Sequence, residues 1–392
     1  MPQNRICARN LRTWPLLLPF TAVAIVCGGG GATTAPGSAP GTTTPPTYSQ
    51  QAADGIKAMQ AWYIASSGLY QQPSGWWETA NAMTMLANYE RVSGDTSYES
   101  VLSNTFTAAQ ITHPNFINNY DDDEGWWALA WIDAYDLTRN QAYLNMAETI
   151  FADIANEWDT STCGGGVWWE KPSSGVAEYK NAIANELFLS VAAALANRTS
   201  GTSSAAYLAW AQKEWVWFKA SGMINSQNLI NDGLTVVNAS NPSVCTNNGK
   251  TTWTYNQGVI LGGLVELYKA DQDATLLPQA EEIANAAISD LTSNGILTEP
   301  GSLTKSGVEG DEVQFKGVFQ RNLMALYAAL PSTGTQAAQY KSFADANADS
   351  IWKSDQGSGY DFGFLWQGPF DSADAVRQSA ALDAIVAAAT MQ

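Results

Sequence analysis

The sequence predicts an all-α protein whose helices form six hairpins arranged in a ring, the architecture called an (α/α)6 barrel. Three observations predict it. From about Tyr48 onward, apolar residues recur at intervals of three and four, with almost none of the alternation that marks strands. Every second helical stretch is apolar on all sides, as a buried helix is. Loops rich in aromatic residues and glycine precede these apolar stretches, so we expect the loops to gather at one end of the ring.

Composition limits the chemistry that the chain can carry out. Its 392 residues, 45% of them hydrophobic, are enough for one large core. A net charge of −18 argues against a nucleic-acid partner, which needs a basic surface. His113 is the only histidine, which argues against a Ser-His-Asp triad and a multi-histidine metal site. We therefore expect catalysis by carboxylates, without metal or cofactor, and a packing or surface role for His113.

The first 27 residues are typical of an export signal. Basic residues up to Arg12 precede an apolar run over 14–26, which is too short to span a bilayer. Cys27 and the glycines after it resemble a bacterial lipoprotein signal, in which the cysteine is lipidated and tethers the protein to a membrane. Val26 departs from the small residue expected there, so cleavage near Ala32 and secretion is the alternative.

The domain organisation follows from composition along the chain. Residues 28–47 contain only uncharged Gly, Ala, Thr, Ser and Pro, which is typical of a flexible linker. Residues 48–392 then form a single helical domain. We expect a monomer that is exported to the outer surface or secreted.

Twelve helical stretches justify the barrel. Breakers such as Ser93-Gly94 and Pro331-Ser332 separate them. Stretches with charged faces, such as 140–157 and 336–354, are expected to cover the apolar ones. The predicted helices span 49–66, 76–92, 97–110, 124–138, 140–157, 180–198, 203–221, 253–271, 273–292, 315–330, 336–354 and 373–390.

The stretch 118–127 is where we expect the chemistry. Four acids in a row, Asp121 to Glu124, adjoin Trp126 and Trp127 at the predicted start of a helix, where backbone N–H groups favour negative charge. In the simplest interpretation the acids only cap that helix. Carboxyl groups packed against tryptophan, however, take different pKa values, which acid–base chemistry uses and a cap does not need.

The stretch 120–131, Tyr-Asp-Asp-Asp-Glu-Gly-Trp-Trp-Ala-Leu-Ala-Trp, resembles the signature of glycoside hydrolase family 76, the α-1,6-mannanases. The resemblance covers nearly all of 50–392. It implies an (α/α)6 barrel and an endo-acting hydrolase of α-1,6-linked mannan polysaccharides or oligosaccharides. Supporting segments recur in family order at 164–169, 180–187, 254–258 and 315–319.

The family's catalytic pair is two adjacent aspartates, usually within Tyr-Asp-Asp-Glu, whereas this chain has three aspartates in a row. Aligning on Glu124 and the tryptophan pair makes Asp122 the nucleophile and Asp123 the general acid/base of a retaining hydrolysis, with Asp121 where the family often has tyrosine. The register is open by one residue. The reaction needs carboxyl groups about 5–5.5 Å apart, which neighbouring residues at a helix start can provide. Burial and a neighbouring like charge should keep Asp123 protonated while Asp122 is ionised.

Other candidates surround this pair. In an exported protein, Cys163 and Cys245 are candidates for a disulfide between two loops. Each proposed sugar contact has packing of the barrel mouth as its alternative. The aromatic candidates for stacking on sugar rings are Trp76, Trp126, Trp168, Trp169, Tyr255 and Phe319. The candidates for binding hydroxyl groups are Asn119, Asn181, Asn185, Gln257, Arg321 and Asp361.

Several alternative functions stay open on the same barrel. A noncatalytic surface protein that binds glycans would use the aromatics and not the paired acids. A transglycosylase would use the same aspartate pair with a different acceptor. A hydrolase of unsaturated uronides is disfavoured because an acidic cleft repels anionic substrates. A Ca²⁺ site over 121–124 is disfavoured because the run lacks the spaced ligands of an EF-hand loop.

Overall fold

The computed structural model describes residues 45–71, 75–175, 179–302 and 310–392. Cys27, the rest of the predicted export signal and most of the predicted linker lie outside these ranges. Residues Pro46–Gln392 form one compact unit. The described residues contain twelve α-helices: α1 (Tyr48–Met59), α2 (Trp76–Ser93), α3 (Glu99–Ala108), α4 (Asp121–Thr138), α5 (Gln141–Asn156), α6 (Ala182–Arg198), α7 (Gly201–Ser221), α8 (Thr254–Asp271), α9 (Leu276–Asp290), α10 (Glu312–Ala329), α11 (Thr335–Ser354) and α12 (Ala375–Thr390).

The even-numbered helices form a closed inner ring. Each of α2, α4, α6, α8 and α10 packs against the next even-numbered helix, and α12 packs back against α2. The odd-numbered helices lie outside, with α5 on α4, α7 on α6 and α9 on α8, while α1 and α11 both pack on α12. The (α/α)6 barrel predicted from the sequence is thereby confirmed.

Small residues let the inner helices approach closely. In α6 every residue from Ala182 to Ala196 is buried. A Cβ added to Gly317 of α10 would lie 2.5 Å from Ala380 Cα of α12, so a larger residue there would force these two helices apart. The outer helices instead bury one face and expose the other, which explains why their sequences are amphipathic.

The structure corrects several predicted boundaries, among them the start of α9, at Leu276 and not at 273, and the start of α10, at Glu312 and not at 315. The first helix ends at Met59 and not at 66, because the chain turns there into a short hairpin of β1 (Tyr63–Ile64) and β2 (Leu69–Tyr70). Helix α4 begins at Asp121 and not at 124, so the acids occupy its first turn, where free backbone N–H groups stabilise negative charge. The described residues also contain the hairpins β3 (Leu234–Val236) with β4 (Cys245–Asn247) and β5 (Thr292–Ser293) with β6 (Ile296–Leu297).

A disulfide links two loops near the same end of the barrel. Cys163, in the loop after α5, is bonded to Cys245 at the start of β4, with their Cα atoms 5.0 Å apart. The two cysteines are 82 residues apart in the sequence, so the bond closes a long loop. In the part of the chain that the structure describes, no helix is both long and apolar enough to cross a membrane.

Candidate active site

A cleft of about 610 Å³ opens at the end of the barrel where the inner helices begin. Its walls come from the first turns of α2, α4, α8 and α10 and from the loops around them, as the placement of the aromatic loops predicted. The residues that line it are Trp77, Tyr120, Asp122, Asp123, Trp126, Trp169, Tyr179, Asn181, Asp232, Trp253, Tyr255, Gly310, Asp311, Glu312 and Phe315.

The three consecutive aspartates take different positions. Asp122 and Asp123 line the cleft. Asp121 is fully buried behind them, with its carboxylate 3.9 Å from the ammonium of Lys171. Successive residues of an α-helix are rotated by about 100°, so three neighbours cannot all face one cavity. The helix therefore presents Asp122 and Asp123 to the cleft and directs Asp121 into the core.

Two N–H groups donate to the carboxylate of Asp122. The indole Nε1 of Trp169 donates to Oδ2 at 3.0 Å, and the backbone N–H of Asp123 donates to Oδ1 at 3.0 Å. Burial, and then the charge of Asp123, raise the pKa of Asp122 well above its ordinary value. The two donors act in the opposite direction because they stabilise the ionised form.

Asp123 accepts a hydrogen bond from a side-chain amide. The amide Nδ2 of Asn118 donates to its Oδ2 at 2.6 Å. Burial raises the pKa of Asp123 to about 7, the Asn118 hydrogen bond opposes the rise, and the nearby Asp311 adds to it. Two adjacent carboxyl groups in this setting hold a proton between them at neutral pH. The raised pKa of Asp122 differs from the expectation from the sequence, which had an ionised Asp122 beside a protonated Asp123, because burial acts on both carboxyl groups.

Behind the pair lies a buried cluster of charges. Lys171 forms ion pairs with Glu124 and Asp153 as well as facing Asp121. Burial raises the pKa of Glu124 to about 8, although Lys171 lowers it. Burial likewise raises the pKa of Asp121 well above its usual range. The charge of Lys171 therefore opposes the effect of burial on both carboxyl groups behind the cleft.

Aromatic rings form the walls of the cleft. Tyr255 stacks on Phe315 with ring centroids 3.7 Å apart, and Trp126 stacks on Tyr255 at 6.4 Å. On the other side, Tyr120 and Trp169 lie 5.4 Å apart. A concave site that combines flat apolar rings with paired carboxyl groups suits a sugar, whose ring faces are apolar and whose edges carry hydroxyl groups.

Of the predicted sugar contacts, the structure brings four into the cleft. These are Trp126, Trp169, Asn181 and Tyr255. Trp169 is 37% exposed, so part of its ring surface is open at the rim. Asn181 also caps α6 through its side-chain oxygen, which accepts from the Ala184 N–H.

The other predicted aromatic contacts do not line the cleft. Trp76 stacks on His113 at 4.0 Å and packs against Trp127, since its ring points into the gap between helices and its neighbour Trp77 faces the cleft instead. Trp168 is buried, with the ammonium of Lys180 over its ring. Phe319 is fully buried because it lies two turns into α10, below the mouth of the barrel.

Apart from Asn181, the polar candidates also lie outside the cleft lining. Asn185 and Gln257 are fully buried and bond to backbone atoms, so their amides hold loops in place. Arg321 forms an ion pair with Asp383 inside the ring. Asn119 and Asp361 are likewise absent from the cleft lining.

Several residues of the cleft were not among the predicted contacts. Trp77, Trp253 and Phe315 lie in the predicted aromatic loops, but the residues chosen from those loops were their neighbours. Asp311 directly precedes α10, and an acid at that point could have been found as a helix-start acid. Tyr120 opens the motif 120–131 but was not singled out as a contact, and Tyr179, Asp232, Gly310 and Glu312 carried no separate signal. Within the described ranges, no group of three or more His, Cys, Asp and Glu side chains is placed to hold a metal ion.

Comparison with known proteins finds relatives in sequence and in fold. The model of Glycosyl hydrolase family 76 matches residues 47–392. A putative mannan endo-1,6-α-mannosidase of Schizosaccharomyces pombe is 27% identical over 305 residues, which cover 74% of this chain and 67% of that protein. The mannan endo-1,6-α-mannosidase DCW1 of Candida albicans is 26% identical over 287 residues, covering 68% of this chain and 61% of that protein. The chain thus spans roughly two thirds or less of the length of these two relatives.

Solved structures share the fold. An inactive variant of the α-1,6-mannanase GH76A of Salegentibacter sp. HEL1_6, with two consecutive aspartates replaced by alanine and α-1,6-mannotetrose bound, superposes with a TM-score of 0.77 at 20% identity. The match covers 88% of this chain and 100% of that one. Dfg5 of Chaetomium thermophilum, in complex with glucosamine, gives a TM-score of 0.76 at 22% identity, covering 88% and 90%.

Proposed function

The chain belongs to glycosyl hydrolase family 76, and from this membership we propose that it is a retaining glycosidase that cleaves α-1,6-mannosidic bonds within mannan chains. The observation that carries the proposal is the cleft: Asp122 and Asp123 share it with aromatic rings, while Asp121 is excluded from it. This arrangement supports Asp122 and Asp123 as the catalytic pair, and the resemblance to the family implies Asp122 as nucleophile and Asp123 as general acid/base.

The relatives support the substrate. The curated relatives are named mannan endo-1,6-α-mannosidases, from which we take both the linkage and the endo mode of action. The Salegentibacter α-1,6-mannanase is described as inactive when two consecutive aspartates are replaced, and it then holds an α-1,6-linked mannotetrose. A pair of neighbouring aspartates is also what the cleft of this chain presents.

In the first step, an oxygen of Asp122 attacks the anomeric carbon of the sugar. The bond from that carbon to the glycosidic oxygen breaks, and Asp123 transfers its proton to the departing oxygen. The shortened chain leaves as an alcohol, and the remaining sugar is held as an ester of Asp122. The two N–H donors on Asp122 stabilise its ionised form and so oppose the rise in its pKa that burial causes. The attack requires that ionised form, with the proton of the pair on Asp123.

In the second step, Asp123 acts as a base. It takes a proton from a water molecule, whose oxygen attacks the anomeric carbon and releases the carboxylate of Asp122. Two inversions give net retention, and Asp123 regains its starting proton. A carboxyl group with a pKa of about 7 suits both roles, because it gives up and recovers a proton near neutral pH.

We infer in addition that the protein is exported and keeps the division into signal (1–27), linker (28–47) and catalytic domain (48–392). The disulfide between Cys163 and Cys245 supports an oxidising compartment. The lipid tether at Cys27, release by cleavage, and the monomeric state remain proposals from the sequence.

Product analysis tests the proposed function. The protein is incubated with linear α-1,6-mannan and, as a linkage control, α-1,2-mannan. We expect a ladder of internal cleavage products from the first substrate only, with the α-anomer appearing first by NMR. Release of mannose alone would refute endo action, the β-anomer would refute retention, and products longer than the substrate would favour the transglycosylase. Binding without any cleavage would favour the noncatalytic alternative.

A further inference from the structure

The segment 169–171 lies alongside the catalytic motif as a short extended strand. Its middle residue forms an antiparallel bridge with Tyr120, and the N–H of Asp121 donates to the carbonyl of Trp169 at 3.1 Å. Alternate side chains of an extended segment point to the same side. Trp169 and Lys171 therefore both face the motif, and the first of them reaches the nucleophile directly.

The ammonium group of Lys171 is buried at the back of this motif, with its side chain only 8% exposed. It donates to the carbonyl oxygen of Asn118 at 2.9 Å and to the carboxylates of Glu124 and Asp153. An ammonium has three N–H donors, and these three acceptors use all of them. All three N–H donors of Lys171 are therefore used behind the cleft, although Lys171 itself does not line the cleft.

The contacts of Lys171 continue to the acid/base through Asn118. Glu124, held by Lys171, accepts from the backbone N–H of Asn118 at 3.1 Å. The side-chain oxygen of Asn118 accepts from the Tyr120 N–H at 2.8 Å, which fixes the direction of its amide. The amide nitrogen then points to Asp123 and donates to its Oδ2 at 2.6 Å.

We propose that Lys171 is a positioning residue. Its ammonium group holds the carbonyl of Asn118 directly and holds the N–H of Asn118 through Glu124. Asn118 in turn positions the acid/base Asp123. The meaning of this positioning for catalysis rests on the proposed function. Without the ammonium, the carbonyl of Asn118 loses the Lys171 donor and Glu124 loses its charged partner in a buried setting. The backbone that carries the Asn118 amide is then held less firmly, although the Tyr120 N–H still contacts the amide oxygen.

Loss of Lys171 or Asn118 should change the titration of Asp123. The titratable groups that face Asp123 from neighbouring elements are acidic or phenolic, so the Asn118 amide is the contact that stabilises its ionised form. Loss of that contact should raise the pKa of Asp123 above its value of about 7. The facing groups are Asp122 on α4, Tyr120 before it, Glu78 on α2 and Asp311 before α10.

The experiment is an NMR titration of the protein labelled with ¹³C at the aspartate carboxyl carbon, with the Asp123 signal assigned by its loss in Asp123→Asn. We expect the pKa of Asp123 to rise by about half a unit or more in Lys171→Met and in Asn118→Ala, and to stay unchanged in Lys171→Arg if the guanidinium reaches the same acceptors. In the double variant the two rises should not add, because Lys171 acts through Asn118.

A matched control separates positioning from a general effect of removing a buried lysine. Lys316 is fully buried on α10 and donates to the carbonyl of Phe364, away from Asp123. Lys316→Met should lower the melting temperature and leave the titration of Asp123 in place. An unmoved titration in Asn118→Ala overturns the proposal even if Lys171→Met fails to fold. Fully additive shifts in the double variant overturn the relay through Asn118.

The titration also distinguishes failure of this inference from failure of the proposed function. It reports the protonation of Asp123 whether or not the protein cleaves mannan. If mannan is not cleaved and the shifts are observed, the proposed function is wrong and the positioning relay stands. If mannan is cleaved, the alkaline limb of kcat/KM should move upward in Lys171→Met by the same amount as the NMR titration.

Discussion

The register of the catalytic pair can be tested by replacing each of the three aspartates with asparagine. Asp121 is fully buried, both of its carboxyl oxygens lack a hydrogen-bond partner, and burial raises its pKa well above the usual range. A neutral carboxylic acid and an amide have nearly the same size and charge. Asp121→Asn should therefore cost no more than the roughly 1–3 kcal/mol of an unpartnered buried polar group, and keep activity within about tenfold of the wild type.

The other two variants should lose far more activity. Removing a general acid costs roughly 10²–10⁴-fold in rate, so Asp123→Asn should fall by that factor on mannan. Asp122→Asn should fall at least as far, because the covalent intermediate cannot form. The two roles can be separated with an aryl mannoside whose leaving group needs no proton. On that substrate, Asp123→Asn should regain much of its first-step rate, whereas Asp122→Asn should not.

The assay is the release of reducing ends from linear α-1,6-mannan, with the fold of each variant checked by circular dichroism. Loss of activity in a folded Asp121→Asn that equals the loss in Asp123→Asn would refute the reasoning. It would mean that the buried carboxyl takes part in the reaction, and the pair would shift to Asp121 and Asp122.

Three further predictions concern pH and stability. Asp123 must be protonated to act as the acid, and its pKa is about 7. The value of kcat/KM should therefore fall as pH rises through about 7, and an alkaline limb that lies near pH 4 would contradict this. The disulfide between Cys163 and Cys245 closes a loop of 82 residues, so replacing both cysteines with serine should lower the free energy of unfolding by about 4.5 kcal/mol in a denaturant titration; an unchanged midpoint and slope would contradict it. Burial raises the pKa of Glu124 from 4.5, its value in the unfolded chain, to about 8 in the folded protein. The stability that the protonated form contributes is therefore fully present below pH 4.5 and is lost as pH rises to about 8. The melting temperature should therefore decrease between about pH 5 and about pH 8.5, and an increase over that range would contradict the assignment.

For the three consecutive aspartates Asp121, Asp122 and Asp123, the sequence predicts the location of the site but not the orientation of each side chain. The pattern of acids beside tryptophans located the chemistry, because few other functions place carboxyl groups against large apolar rings. It could not choose which two of the three face the cleft. That choice depends on where α4 begins, and α4 begins at Asp121, three residues earlier than the apolar periodicity indicated.

The partial success with the cleft walls has the same cause. The aromatic loops were located correctly, but Trp76 and Trp77 differ by one residue and by about 100° of helix rotation. One of them packs against His113 in the protein and the other lines the cleft. Residues such as Asp232 belong to loops without periodicity, so no pattern in the chain connects them with the site.

The barrel could be predicted from the residue pattern alone, since twelve helical stretches that alternate between wholly apolar and amphipathic can be buried in few other ways. The end of the ring that carries the aromatic loops could be predicted too, because loop composition is a local property. Which side chains meet depends instead on how distant segments fold together. The pairing of Lys171 with Glu124 and Asn118 joins residues about 50 positions apart in the chain, and such contacts depend on how two segments pack and not on the pattern within either one.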